Sequence, residues 1–209
     1  ELKILKNQKG KPIKERRLKI WIYWPKVGEY SRLSFVETLS PKNLIDVKYW
    51  EQRFNNAMKA KRWMTMPVTG KLKDVSDKKT NKNEFDLSEL EITPKLINEH
   101  KNNILSNELY MNRNVVVVES KKSTGKKTSK KLWIDVKEYV VLKAVFYTKS
   151  GRKSKTIEMR ELTRTNNMIF PQQIYVNDIR KKTTYQLNIF NIQFYDYLDY
   201  SIFNPSEAK

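Results

Sequence analysis

A mainly β protein built as antiparallel sheet is the fold class this 209-residue sequence predicts. Apolar and polar residues alternate in runs along almost the whole chain, helix-period stretches are scarce, and only five Gly and seven Pro interrupt the runs. With 39% hydrophobic residues the chain is long enough to fill a core, and it reads as one domain over residues 1–209.

The elements follow in order. Leu18, Ile20, Ile22 and Trp24 share one face of the first long run, with Lys19, Trp21 and Tyr23 on the other, which predicts one packed and one wet side. Leu33 and Phe35 mark a second strand; Ile45, Val47 and Tyr49 mark a third. Residues 51–62 read as a polar link, Trp63–Pro67 as a short strand ended by proline, and 70–84 as a polar loop. Asp86 is placed to cap a short helix over 86–90, and two strands are expected between Leu96 and Glu119. Strands are then predicted at 132–135, 140–148, 156–163, 171–179 and 184–194, separated by turns. In the last hairpin Ile174, Val176 and Asp178 face one way and Tyr175, Asn177 and Ile179 the other, with Arg180-Lys181-Lys182 as its turn.

If residues 136–138 are also a turn, successive hairpin ends alternate, so that 121–131, 149–155 and 180–182 share one rim. That rim carries Lys121, Lys122, Lys126, Lys127, Lys130, Lys131, Lys149, Arg152, Lys153, Lys155, Arg180, Lys181 and Lys182. Forty-two Lys and Arg against 23 Asp and Glu give a formal net charge of +19, which draws the chain toward anionic partners: membrane surfaces, acidic proteins or nucleic acid. Lysines in solvated turns also serve solubility alone.

Catalytic signals are weak throughout, and the sequence predicts no enzyme and no cofactor or metal. Cys is absent, which excludes disulfides and thiolate chemistry. Ser123-Thr124-Gly125-Lys126-Lys127-Thr128 has Ser120 where a phosphate loop needs its first glycine. His100 is the only histidine, so it reads as a surface residue, and Glu84, Asp86, Glu89 and Glu91 lack the spacing of a calcium loop. Aromatics among lysines, such as Trp21, Tyr23 and Trp24, suit base stacking, but they are equally the ordinary material of a β core. Met64 and Met66 share a face and could adapt to varied apolar ligands.

The order of several segments resembles the LolA-like outer-membrane lipoprotein-sorting proteins over nearly the whole chain. The resemblance is carried by Lys9–Trp21 (KGKPIKERRLKIW), Ser40-Pro41, WMTMP at 63–67, Phe85–Glu89, LWID at 132–135 and YTKSG at 147–151. FPQQI at 170–174, KTT at 182–184 and LDYSIFN at 198–204 complete it. It departs at Lys71-Leu72-Lys73-Asp74 and Asn83-Glu84-Phe85-Asp86, where family members often carry an arginine-rich stretch and a GSDF-like segment. The resemblance implies an α+β, mainly β fold: a curled antiparallel sheet forming a half-open β-barrel, with short helices or loops covering the concave apolar face. It implies a periplasmic carrier that binds acyl chains of lipoproteins or another lipid, with inner- or outer-membrane transport proteins as partners. The chain opens on a strand-like alternation and reads as trimmed of any export signal. Alternation places Leu33, Phe35, Ile45, Val47, Met64, Met66, Ile134 and Leu142 as the expected apolar lining. An envelope sensor or adaptor using the same fold is the alternative, and a basic nucleic-acid module a third.

Overall fold

The computed structural model describes residues 1–56, 58–77, 94–123 and 129–207. The expected helix over 86–90, the acidic cluster 84–91, and Lys126 and Lys127 lie outside the described residues. Among the described residues thirteen strands form one antiparallel sheet in the order β6-β5-β4-β3-β2-β1-β13-β12-β11-β10-β9-β8-β7, in which β1 is Leu2–Gln8 and the other ranges are given below. The sheet does not close: β6 and β7 are its two edges. The chain groups into two compact units. One comprises residues 1–4, 15–84 and 190–209; the other comprises 5–14 and 85–189.

In the first unit β2 (Lys14–Tyr23), β3 (Tyr30–Ser40), β4 (Lys48–Phe54), β5 (Lys61–Thr65) and β6 (Leu72–Asp74) follow one another as a meander. The face of β2 is the reverse of the expected one. Trp21 and Tyr23 pack against the core, whereas Ile22 and Trp24 are exposed. Register explains this, because Trp21 pairs with Phe35 and Tyr23 with Leu33, so the aromatic face of β2 must share the buried side of β3. Three further expectations fail here. Residues 51–54 are not link but the second half of β4, and residues 72–74 are strand, not loop. Ile45 ends a 3-10 turn over Lys42–Leu44 and is exposed, so the third strand begins only at Lys48 and buries Trp50, not Tyr49.

In the second unit α1 (Pro94–Glu99) leads into β7 (His100–Tyr110) and β8 (Arg113–Lys122). β9 (Ser129–Asp135), β10 (Val141–Tyr147), β11 (Lys153–Thr165), β12 (Met168–Asp178) and β13 (Thr183–Ile189) continue the meander close to where alternation placed them. One row crosses five strands on one face: Leu132, Ala144, Ile157, Val176 and Tyr185 are register partners in turn. Each is at most 8% exposed. Burying Leu132, Ile157 and Val176 stabilises by about 1.5–3 kcal/mol apiece, with the single methyl of Ala144 contributing less.

Candidate functional site

Two features stand out, one in each unit. In the first unit the buried side of β2–β5 is a ladder of aromatic rings. Trp21 stacks on Phe35 at 5.1 Å between centroids, and Phe35 on Trp50 at 5.1 Å, with Trp63 paired to Trp50 on the next strand. Near-parallel offset rings at this separation gain about 0.5–1.5 kcal/mol beyond burial alone. The ladder is roofed by the last described segment of the chain. Leu198, Ile202 and Phe203 pack on it, and Phe203 is 3% exposed.

This roof is attached by few polar contacts. The Trp50 indole N–H donates to the Ile202 carbonyl at 3.0 Å, and the Gln52 amide donates to the Phe203 carbonyl at 3.3 Å. Tyr200 meets Tyr23 edge-on at 4.8 Å. A 3-10 turn over Tyr200–Phe203 shapes the segment, its start fixed by the Asp199 carboxylate accepting from the Ser201 N–H at 2.9 Å. None of these contacts is a sheet hydrogen bond, so the roof can leave without unpairing any strand.

The reverse side of the same strands holds a buried carboxylate. Glu51 accepts from Arg53 Nε and Arg62 Nε at 2.7 Å each, and from Arg32. Burial alone would raise its pKa; the Arg62 and Arg53 hydrogen bonds and the Arg53 and Arg32 charges outweigh burial and hold it below the usual glutamate range. Nothing in sequence spacing singled this cluster out, since Arg32, Glu51 and Arg62 meet only through the pairing of β3, β4 and β5.

In the second unit the hairpin ends of β8–β9, β10–β11 and β12–β13 lie at one end of the meander, as antiparallel order requires. Lys121, Lys122, Lys149, Arg152, Lys153, Arg180 and Lys182 are exposed there, and Lys131, Lys155 and Lys181 half-buried. The exposed Lys9 joins them, its N–H donating to the Lys182 carbonyl at 3.3 Å. Sequence order concealed this, because Lys9 and Lys182 stand at opposite ends of the chain. At the other end of the meander the charges are matched: Arg164 pairs with Glu138 at 2.7 Å, and Arg113 with Asp135 at 3.0 Å.

The expected lining residues are divided. Leu33 and Phe35 lie on the ladder, 5% and 7% exposed. Met64 pairs with Tyr49 on the reverse side of β4 and β5, and Met66 follows the end of β5. Val47 precedes β4 and donates its N–H to the Leu44 carbonyl. In the second unit Leu142 is fully buried at an irregularity of β10, and Ile134 is half-buried opposite Val116 and Val141. Sequence reasoning missed Trp21, Trp50, Trp63 and the roof. An open hollow of about 270 Å³ lies on the second unit, walled chiefly by Tyr139, Val141, Met159, Leu162 and Ile169.

Among the described residues no helix is long and apolar enough to cross a membrane. Residues 31–208 match the model of a family described as "Uncharacterized protein". No curated protein sequence matches the chain. Several solved structures share its fold. A domain described as outer-membrane lipoprotein-sorting, from Vibrio parahaemolyticus, superposes with a TM-score of 0.80 at 16% identity, over 98% of this chain and 88% of that one. A DUF1329 family protein from Desulfovibrio piger gives 0.83 at 15% identity, over 100% and 89%. A LolA superfamily protein from Nitrosomonas europaea gives 0.68 at 17% identity, over 98% and 88%. The fold is therefore LolA-like: mostly β, in one large unclosed antiparallel sheet.

Proposed function

The chain belongs to the family whose model spans residues 31–208, and from its LolA-like fold we propose that it is a non-enzymatic periplasmic carrier or chaperone for acyl chains. The cargo is a lipoprotein or a related lipid, moved toward the outer membrane, and the whole chain acts as a single LolA-like domain. The observation that carries this reading is the roofed aromatic ladder. An apolar face closed by a coil segment, and not by strand pairing, can exchange its cover for another apolar chain. Each acyl methylene moved from water onto such a face gains about 0.8 kcal/mol, so holding a chain needs shape and no catalytic group.

Leu33, Phe35, Ile45, Val47, Met64, Met66, Ile134 and Leu142 remain proposed contacts for cargo, with Leu33 and Phe35 favoured by their place on the ladder. The basic rim gives the carrier an attraction to anionic membrane surfaces or to the membrane transport proteins between which cargo passes. Salt would weaken that attraction.

Native mass spectrometry of protein purified without detergent tests the proposal. A co-purifying lipid or acylated peptide, displaced by a triacylated peptide, is the expected result. Phe35→Glu should abolish uptake while the strands stay folded, as read by circular dichroism. An apo mass that takes up no acyl ligand would overturn the carrier reading.

A further inference from the structure

Trp50 and Gln52 stand two positions apart on β4, so their side chains share the ladder face. What they hold is peptide backbone. The Trp50 indole donates to the carbonyl of Ile202, and the Gln52 amide donates to that of Phe203, the next residue along. An indole N–H at 1% exposure needs an acceptor, since without one it forfeits the hydrogen bond it made to water. A hydrocarbon chain laid on the rings leaves both donors in that condition, whereas a second peptide satisfies them.

The roof itself shows what such a peptide looks like. Leu198, Ile202 and Phe203 supply its apolar contacts at positions i, i+4 and i+5, and the Asp199 carboxylate starts the 3-10 turn that carries the two read carbonyls. Between Lys182 and Lys209 the sequence has no Lys or Arg, while Asp196, Asp199 and Glu207 all fall in that stretch. The ladder is bordered by the opposite charge: the exposed Lys19 lies over Trp21 at 4.7 Å, and the exposed Lys61 over Phe54 at 5.9 Å. An acidic segment is thus matched to this face, and a basic one is repelled from it. The roof is joined to the sheet through coil, since neither helix nor strand intervenes between β13 and the 3-10 turn.

We propose that the aromatic ladder is a peptide groove whose resident occupant is the roof, and that an acidic segment of a partner protein with the same i, i+4, i+5 apolar pattern takes its place. Trp50 and Gln52 are the residues that make the groove select peptide over hydrocarbon. The inference goes beyond the carrier reading by giving the same face a protein ligand, and the two fail separately.

The test uses the full chain and a fluorescent peptide copied from its own residues 194–207. In the parent the tethered roof competes at a local concentration on the order of millimolar, so the peptide should bind weakly. Phe203→Asp expels the roof, and the peptide, which keeps its own phenylalanine, should then bind at least about tenfold tighter. Should Phe203→Asp lose its far-ultraviolet circular dichroism, Asp199→Lys replaces it. That residue is exposed, and removing its cap should tighten peptide binding about fivefold. Adding Gln52→Leu to either variant should weaken the peptide about fivefold and leave dodecyl maltoside no weaker. No binding to the chain with its roof expelled would overturn the groove, as would a scrambled peptide binding as tightly. A Gln52→Leu change that spares the peptide, or weakens peptide and detergent equally, would also overturn it. A parent dimer that excess peptide dissociates would overturn the partner assignment and make a second copy's roof the occupant.

Discussion

The first unit closes its hydrophobic face with residues far away in sequence, and the second does so with neighbours. The hydrogen bond from Trp50 to Ile202 spans 152 positions, whereas the buried row from Leu132 to Tyr185 is assembled by consecutive hairpins. Charge burial differs in the same sense. Glu51 sits among Arg32, Arg53 and Arg62, while Lys130 has no counterion among the described residues. The difference teaches where each unit can change state. The first can lose its roof with every strand still paired; the second is held by strand pairing throughout, so that uncovering its buried row means separating strands.

Trp50→Ala should produce the largest effect, about 3–5 kcal/mol of destabilisation, since it removes a fully buried ring and the indole that holds the roof. Chymotrypsin should then cut rapidly between Phe194 and Tyr200 while the second unit stays protected; equal protection of the segment in both proteins would erase the contrast between the units.

Glu51→Gln comes next, with a loss of about 3 kcal/mol at neutral pH, because three arginines then face one neutral amide. Its pH dependence has a definite sign. The folded pKa of Glu51 lies below the ordinary value of 4.5, so its contribution is present above that value and disappears as pH falls through the folded pKa. Urea melts of the two proteins should therefore draw together as pH falls below 4.5, and a gap that does not narrow with falling pH would contradict this account.

The smallest effect concerns the turns. The second unit places non-glycine residues in the left-handed region at Asn112, Tyr139, Asn166, Asn167 and Lys182, where φ of Lys182 is 50°. Lys182→Gly should stabilise by up to about 1 kcal/mol, measurable as a higher urea midpoint, because glycine tolerates that backbone without steric cost.

The second unit was largely legible in sequence. Its strands alternate two distinct faces, so alternation alone set Ile174, Val176 and Asp178 together, and that shared face is the buried one. The first unit was less so, because β2 carries large apolar residues on both faces. Ile20 and Ile22 compete with Trp21 and Tyr23, and what decides between them is the register that sets Trp21 against Phe35 and Tyr23 against Leu33, on the face that Phe203 also covers. Trp50 was hidden by its polar neighbours Glu51, Gln52 and Arg53, which made the rest of β4 look like a link. Those neighbours are polar for a reason alternation cannot show: they serve the arginine cluster on the reverse side and the attachment of the roof. The burial of Lys130 was not readable, since a lysine next to a turn looks the same in sequence whether its stem lies in water or against protein.

The aromatic ladder also makes the chain an optical instrument. Trp50 is 1% exposed and Trp24 is 62% exposed, so one indole emits from a dry, ring-stacked setting and the other from water. When the roof lifts, the Trp50 indole loses its carbonyl acceptor and its cover together, while Trp24 is untouched. A red shift confined to the blue edge of the emission would thus report the position of the roof in real time, without a label.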